Sequence, residues 1–414
     1  MSLIDKINNV IEEIKDESLD FLKELISIPT ENPPGLNYDK IVKVIKDKLD
    51  ELGYKTEILN PKEEELRKLV KFGSGNRPNL IGYLGNGNLK IAFNAHYDVV
   101  PAGDGWSSDP YTPIIRDGKL YGRGSADMKS GLVAQIYAVE VLRRAKIFPS
   151  SLQVIQTIVP DEETVGNINA GTYYLVEKGI LRKDNINYAI FTEPTGSDNL
   201  CYGHRGAIWA VVKIFGKKSH GGLPQLGIDA LKVSVKIIDK LYDSIPDITS
   251  KYNIIPEVSK KPSILIGTIK CGNWMNTVAD YCEFSIVRRL IPEEELKEVR
   301  ESMIKIISET TREYNARYEY DEFYAVDTII SDFNDVIYKI FKEKVKEVRG
   351  KEPSLVLSPG TFDIRFTVKN GIKSINYGPG RIEQAHATDE YVELKDFYDS
   401  IKVLALALYE LSKS

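Results

Sequence analysis

Apolar residues recur at Ile4, Ile7, Ile11, Ile14, Leu19, Leu22, Leu25 and Ile26. That spacing keeps one face of a helix apolar over about residues 3–28. The segment PTENPPG (29–35) ends it, because proline cannot extend a helix and restricts the residue before it. A second helical pattern covers about 38–52. Short apolar runs then read as buried strands: NLIGYLG (79–85), LKIAFNAH (89–96), SLQVIQTIVP (151–160) and INYAIFTEP (186–194). Helical patterns lie between several of them, at about 129–145 and 168–179. Alternating strands and helices predict an α/β layer, a mixed and mostly parallel sheet flanked by helices. In such sheets chemistry gathers at the carboxyl ends of the strands.

The pattern changes near residue 206. AIWAVVKIFGK alternates as a strand, and GIDALKVSVKIIDKLYDSI is a helix. SILIGTIKCG and DYCEFSIVRRL are strands. PEEELKEVRESMIKIISETT is a helix with proline at its start and acids in its first turn, and ARYEYDEFY closes the set. The order β-α-β-β-α-β is the ferredoxin-like, split βαβ arrangement. The chain therefore reads as two domains: 1–205 with 324–414, and an inserted α+β lid over 206–323. Further helices are expected at about 331–348 and 394–412.

A length of 414 residues suits two domains. Hydrophobic residues at 42% and charged residues at 28% are ordinary for a globular chain. A net charge of -5 gives no electrostatic reason to expect nucleic acid or an anionic membrane as partner. The first residues lack the apolar core of a signal peptide, and no apolar run approaches the length of a membrane span. A cytoplasmic setting is the expectation. Cys201, Cys271 and Cys282 show no zinc-ligand spacing, so reduced thiols are expected.

Candidate chemistry stands at the strand ends. In FNAHYDVVP, His96 closes a strand and Asp98 follows two residues on; a carboxylate beside a histidine fixes the tautomer of a metal-binding ring. Taken alone, the pair is also an ordinary strand cap. YGRGSADMKSGL puts Asp127 at the mouth of a helix, where an N-cap would also stand. TIVPDEETVG puts Glu162 and Glu163 after a strand, and IFTEPTG does the same for Glu193. NYGPGRIEQAHATDEYV carries His386 in a glycine-rich loop. Two histidines and several carboxylates at one sheet edge repel one another unless cations neutralise them. Mixed imidazole and carboxylate donors suit zinc, and also cobalt or manganese. Two such ions sharing one carboxylate make a hydrolytic site.

The motifs HYDVVPAGDGWSSDPY, LYGRGSADMKSG, PDEETVG, TEPT, HRGAIWAVVKIFGKKSHGGLPQLGIDA, GNWMNTVAD, RRLIP, GTFDIR and YGPGRIEQAHATDEYV occur in the order of one family. In them the chain resembles the M20 metallopeptidases, which include acetylornithine deacetylase, succinyl-diaminopimelate desuccinylase, aminoacylase and glutamate carboxypeptidase. The resemblance implies that Asp127 bridges two metals. His96 and Glu193 complete one site, and Glu163 and His386 the other. It implies that Asp98 orients His96 and that Glu162 is the general base. It further implies a cis Asp127–Met128 peptide, and an oxyanion contact from His220 that often reaches a neighbouring subunit. Asn276, Arg289, Gly360 and Arg365 fall at substrate-binding positions. One departure is Val287, where the family pattern carries aspartate. The activity implied is hydrolysis of an N-acyl amino acid by a homodimer joined through the lid. Dipeptidase and carboxypeptidase activities are alternatives. A carbamoyl-amino-acid hydrolase and a non-catalytic binder on the same fold are more remote ones. His204 is expected to be structural, and Trp106, Trp209 and Trp274 to be packing residues.

Overall fold

The computed structural model describes residues 2–70, 75–164 and 166–413. Nine strands form one mixed sheet. Its order is Lys55–Leu59, Asn79–Leu84, Leu152–Val159, Leu89–His96, Tyr188–Phe191, Lys373–Asn376, Asn199–His204, Ile329–Ile330, with Ser354–Ser358 paired beside Asn199–His204. The four central strands, from Leu152–Val159 to Lys373–Asn376, run parallel. The expectation of a mixed sheet, parallel where it matters for the site and flanked by helices, holds, and the antiparallel pairings fall at its margins. There Lys55–Leu59, Asn79–Leu84, Asn199–His204 and Ile329–Ile330 add antiparallel pairings.

The central strands are apolar on both faces because both faces are covered. Ile91, Phe93 and Ala95 join one buried cluster and Ala92 joins the other. Tyr188 and Ile190 likewise oppose Ala189 and Phe191. Helix Lys129–Arg144 is buried continuously from Lys129 to Leu142. It packs against the sheet on one side and against helices Leu3–Ile26 and Leu394–Leu411 on the other. An all-round apolar helix is stable only in such a middle layer. A Cβ on Gly131 would stand 1.9 Å from the carbonyl oxygen of Thr192, so glycine alone lets this helix approach the strand end before Glu193.

The second sheet has five antiparallel strands, ordered Ser263–Leu265, Tyr281–Arg289, Ala207–Phe215, Arg317–Val326, with Ile269–Cys271 also on Tyr281–Arg289. This is the ferredoxin-like order. Helices Ala230–Asp243 and Leu296–Glu313 cover one face around Val212, Ile237, Phe284, Ile286 and Ile307. The single strand expected over 263–272 is two. It breaks where the Thr268 amide bonds the Ser285 hydroxyl at 2.9 Å instead of extending the ladder. The expectation of three reduced thiols is corrected too. Cys271 and Cys282 face each other across the antiparallel pair, Cα atoms 4.1 Å apart, and form a disulfide; Cys201 is free and buried. Among the described residues no helix is long and apolar enough to cross a membrane.

Candidate metal centre

The parallel strands deliver their carboxyl ends to one edge. His96 is the last residue of its strand, Asp161 to Glu163 follow the next, Glu193 follows Tyr188–Phe191, and residues 377–386 follow Lys373–Asn376. Asp127 comes from the other direction, just before helix Lys129–Arg144, and its peptide bond to Met128 is cis, as expected. His96 Nε2 lies 3.1 Å from Asp127 Oδ1 and 3.5 Å from Glu193 Oε2. His386 Nε2 lies 2.9 Å from Glu163 Oε2 and 3.6 Å from Asp127 Oδ2. The two oxygens of Asp127 thus face different partners. His96–Asp127–Glu193 and Asp127–Glu163–His386 each bring one ligand atom per residue within 4.8 Å of the others.

Hydrogen bonds hold these groups in place. The carboxylate of Glu390 accepts the amides of Gly124, Ala126 and Asp127 at 3.1, 2.8 and 3.0 Å, and pairs with Arg123 Nη1 at 2.6 Å. It fixes the loop that presents Asp127, and the sequence motifs did not single it out. His96 Nδ1–H donates to the backbone oxygen of Asp98 at 2.9 Å, which leaves the Nε2 lone pair directed at the trio. The Asp98 carboxylate is 3.6 Å from Nδ1. The orienting bond expected from the Asp98 side chain is therefore made by its main chain. Its carboxylate instead accepts the amides of Glu162 and Glu163 at 3.3 and 3.1 Å. The amide of Glu193 donates to Asn376 Oδ1 at 3.0 Å.

Crowding shifts the protonation of the whole cluster. Burial, together with the Asp127 and Asp363 charges, pushes the Glu193 carboxyl up to about 8. Burial and the charge of Glu193 push Glu162 well above the usual carboxylate range, and burial and Asp127 push Glu163 up. Burial opposes the charged ring of His386, yet Glu163 and Asp127 raise it to about 9. Burial likewise opposes a charged His96, and Glu193, Asp127 and Asp98 together still raise it well above its ordinary value. These groups share protons to offset mutual repulsion. Divalent cations offset the same repulsion, so the donor set fits two of them.

A cleft of about 530 Å³ opens over the centre. Asp127, Glu162, Glu163 and His386 line one side. Arg289, Trp209 and Tyr324 of the second sheet line another, and Gly360 and Arg365 a third. Arg289 lies 5.6 Å over the Trp209 ring, and its Nη1 has no hydrogen-bond partner among the described residues. Arg365 is 4% exposed, pairs with Asp363 at 3.5 Å, and leaves Nε without a partner. Trp209, expected as packing, is a wall of the cleft. Its Nε1 is also unpartnered. His220 and Asn276 do not line this cleft. They stand together on the exposed rim of the second sheet, where the Gly221 amide donates to the Asn276 carbonyl at 2.9 Å. His204 is buried against the Arg205 carbonyl, and burial brings it down to about 3, as befits a structural ring.

A dinuclear cage at a sheet edge, under an arginine-lined cleft, defines the class as a metal-dependent hydrolase of amide or peptide bonds. The pattern of Peptidase family M20/M25/M40 matches residues 92–410, and the chain belongs to that family. It is 29% identical to an uncharacterized metallohydrolase of Methanocaldococcus jannaschii, over 96% of this chain and 99% of that one. It is 26% identical to the succinyl-diaminopimelate desuccinylase of Nitratiruptor sp., over 90% and 94%. In fold, the structure of human carnosine dipeptidase 1 matches with a TM-score of 0.80 at 20% identity, covering 100% of both chains.

Proposed function

We propose that this protein hydrolyses the amide bond of an N-acyl amino acid, in the manner of acetylornithine deacetylase or succinyl-diaminopimelate desuccinylase. One observation carries the reading: the Arg289 guanidinium, with Nη1 unpartnered, faces the same cleft as the two ligand trios. An arginine forks onto a carboxylate, so a substrate carboxyl group held there sets its amide toward the trios. His96, Asp127 and Glu193 hold one ion, and Asp127, Glu163 and His386 the other. Zinc suits these donors, with cobalt or manganese as substitutes. When bound, the ions supply Lewis acidity toward the scissile carbonyl and toward water. Glu162 takes the proton from the attacking water and delivers it to the leaving nitrogen. Glu163 is committed to an ion and cannot. Arg365 and the Gly360 loop complete the substrate wall.

Residues 206–323 act as a lid on 1–205 and 324–414, and two lids join in a cytoplasmic homodimer. Exposed Leu231, Val235 and Tyr242 on helix Ala230–Asp243, with Leu265 and Ile269 on the outer strands, support that face. The partner's lid then brings its own copies of His220 and Asn276 to the cleft, where the histidine steadies the oxyanion. Dipeptide hydrolysis is the second reading, since a dipeptide offers Arg289 the same carboxylate.

Assay of acetylornithine, succinyl-diaminopimelate, acyl-methionine and dipeptides with zinc, cobalt or manganese separates the readings. Glu162→Ala abolishes turnover while two ions stay bound. Retained turnover in that variant refutes the assigned base.

A further inference from the structure

The segment PTENPPG does more than stop a helix. Its Asn32 is 1% exposed, and the side-chain amide donates to Asp98 Oδ2 at 2.9 Å and to Asp161 Oδ1 at 3.1 Å. Its backbone amide donates to Val99 at 2.8 Å, which ties it to the loop after His96. Asp161 sits immediately before Glu162 with φ +62°, a left-handed turn that aspartate tolerates better than most side chains. Three donors hold it: Asn32, the Tyr38 hydroxyl at 3.1 Å and Arg77 Nε at 2.8 Å. Arg77 is fully buried and also donates through Nη2 to the Pro34 carbonyl at 2.7 Å. It threads beside Gly35, where a Cβ would stand 2.6 Å from Nη1. Glycine at 35, with φ +101°, is what leaves room for the guanidinium.

We propose that Asn32, Asp161 and Arg77 are positioning residues for the proton transfer by Glu162, an inference that rests on Glu162 being the base. The geometry runs in one line. Arg77 fixes the Asp161 turn, Asn32 locks that turn to Asp98, and Asp98 accepts the amides from which Glu162 and Glu163 hang. Without the Asn32 amide, the buried carboxylates of Asp98 and Asp161 lose the side chain that donates to both, and the acid loop gains freedom to shift. A shift of about 1 Å in a catalytic group costs on the order of 100-fold in rate. None of the three residues lines the cleft, so substrate affinity has no reason to change with them.

The test uses Asn32→Ala and Arg77→Lys in the full chain, assayed at saturating metal. The expected result for Asn32→Ala is a fall in kcat of about 30- to 100-fold with KM within about twofold and two ions per chain. Arg77→Lys keeps the charge but not both bonds, and loses about tenfold in kcat with the same KM. In the metal-free chain, hydrogen exchange at the amides of Glu162 and Glu163 quickens in both variants. The proposal is overturned if folded Asn32→Ala keeps kcat within about threefold of the parent, if excess metal restores it, if the loss lies in KM, or if exchange at those amides is unchanged. Should Asn32→Ala fail to fold, Arg77→Lys decides by the same criteria. Glu162→Ala separates the two layers. If it still turns over, the base assignment falls; if it is dead while Asn32→Ala is active, only the positioning role falls.

Discussion

Loading the centre with metal must expel protons, and the structure sets how many. At pH 7 a Glu193 carboxyl at about 8 is roughly nine-tenths protonated, and a His386 ring at about 9 almost fully. Burial opposes a charged His96 and the charge of Glu193 raises it, so these two groups share one proton rather than hold two. All three are ligands in the proposed cage and must be bare to bind. Filling both sites at pH 7 therefore releases about two protons per chain. The sign follows: raised values mean the metal-free form holds protons that compete with the ions, so affinity weakens as pH falls. Below pH 7 the combined binding constant drops about a hundredfold per pH unit, about 3 kcal/mol. By pH 9 Glu193 is mostly bare and His386 half so, and the release falls to about half a proton. Titration calorimetry of the metal-free chain in two buffers of different ionisation enthalpy, at pH 7 and pH 9, counts these protons. Release of fewer than about one proton at pH 7, or equal release at both pH values, would refute the picture of a crowded, proton-sharing cluster.

Removal of Glu390 as Glu390→Ala strands a buried Arg123 and three amides, and costs about 3–5 kcal/mol. Thermal unfolding reads that loss, and metal affinity falls with it. Arg289→Lys raises KM about tenfold for substrates with a free carboxylate and leaves kcat nearly unchanged; substrates whose carboxylate is blocked as an amide do not respond. Val235→Glu places a charge on the proposed lid contact, where Val235 is 52% exposed. Sedimentation then shows monomers, and activity drops because His220 no longer reaches a partner's cleft.

The buried strands and the residues that gather in the two candidate trios were legible because both leave strong local marks. An apolar run such as LKIAFNAH needs no context to be read as a strand buried on both faces, and His96 and Glu193 stand where such runs stop. The antiparallel margins left weaker marks. Lys55–Leu59 is half exposed and only five residues long, too short and polar for a period to show. Contacts set by register were silent as well. Nothing in a spacing of 11 residues marks Cys271 and Cys282 as cross-strand partners. Roles that depend on direction were misjudged for the same reason. Asp98 was placed correctly, yet which of its oxygens meets His96 depends on a turn the sequence does not display. Trp209 looked like packing because alternation along a strand does not say which face meets a cleft. Glu390 and Asn32 act on groups 263 or more and 66 or more positions away, beyond any local pattern.

His386 and Asn376 come more than 180 positions after Glu193 in the sequence, yet the candidate centre draws on both. Even the trio whose ligands are all translated by residue 193 needs Asn376 to hold the Glu193 amide. A ribosome must therefore have made residues 376 and 386 before both candidate trios have their full support. Until then the growing chain offers a divalent cation no complete seat, which delays metal capture until that late stretch has folded back onto the sheet.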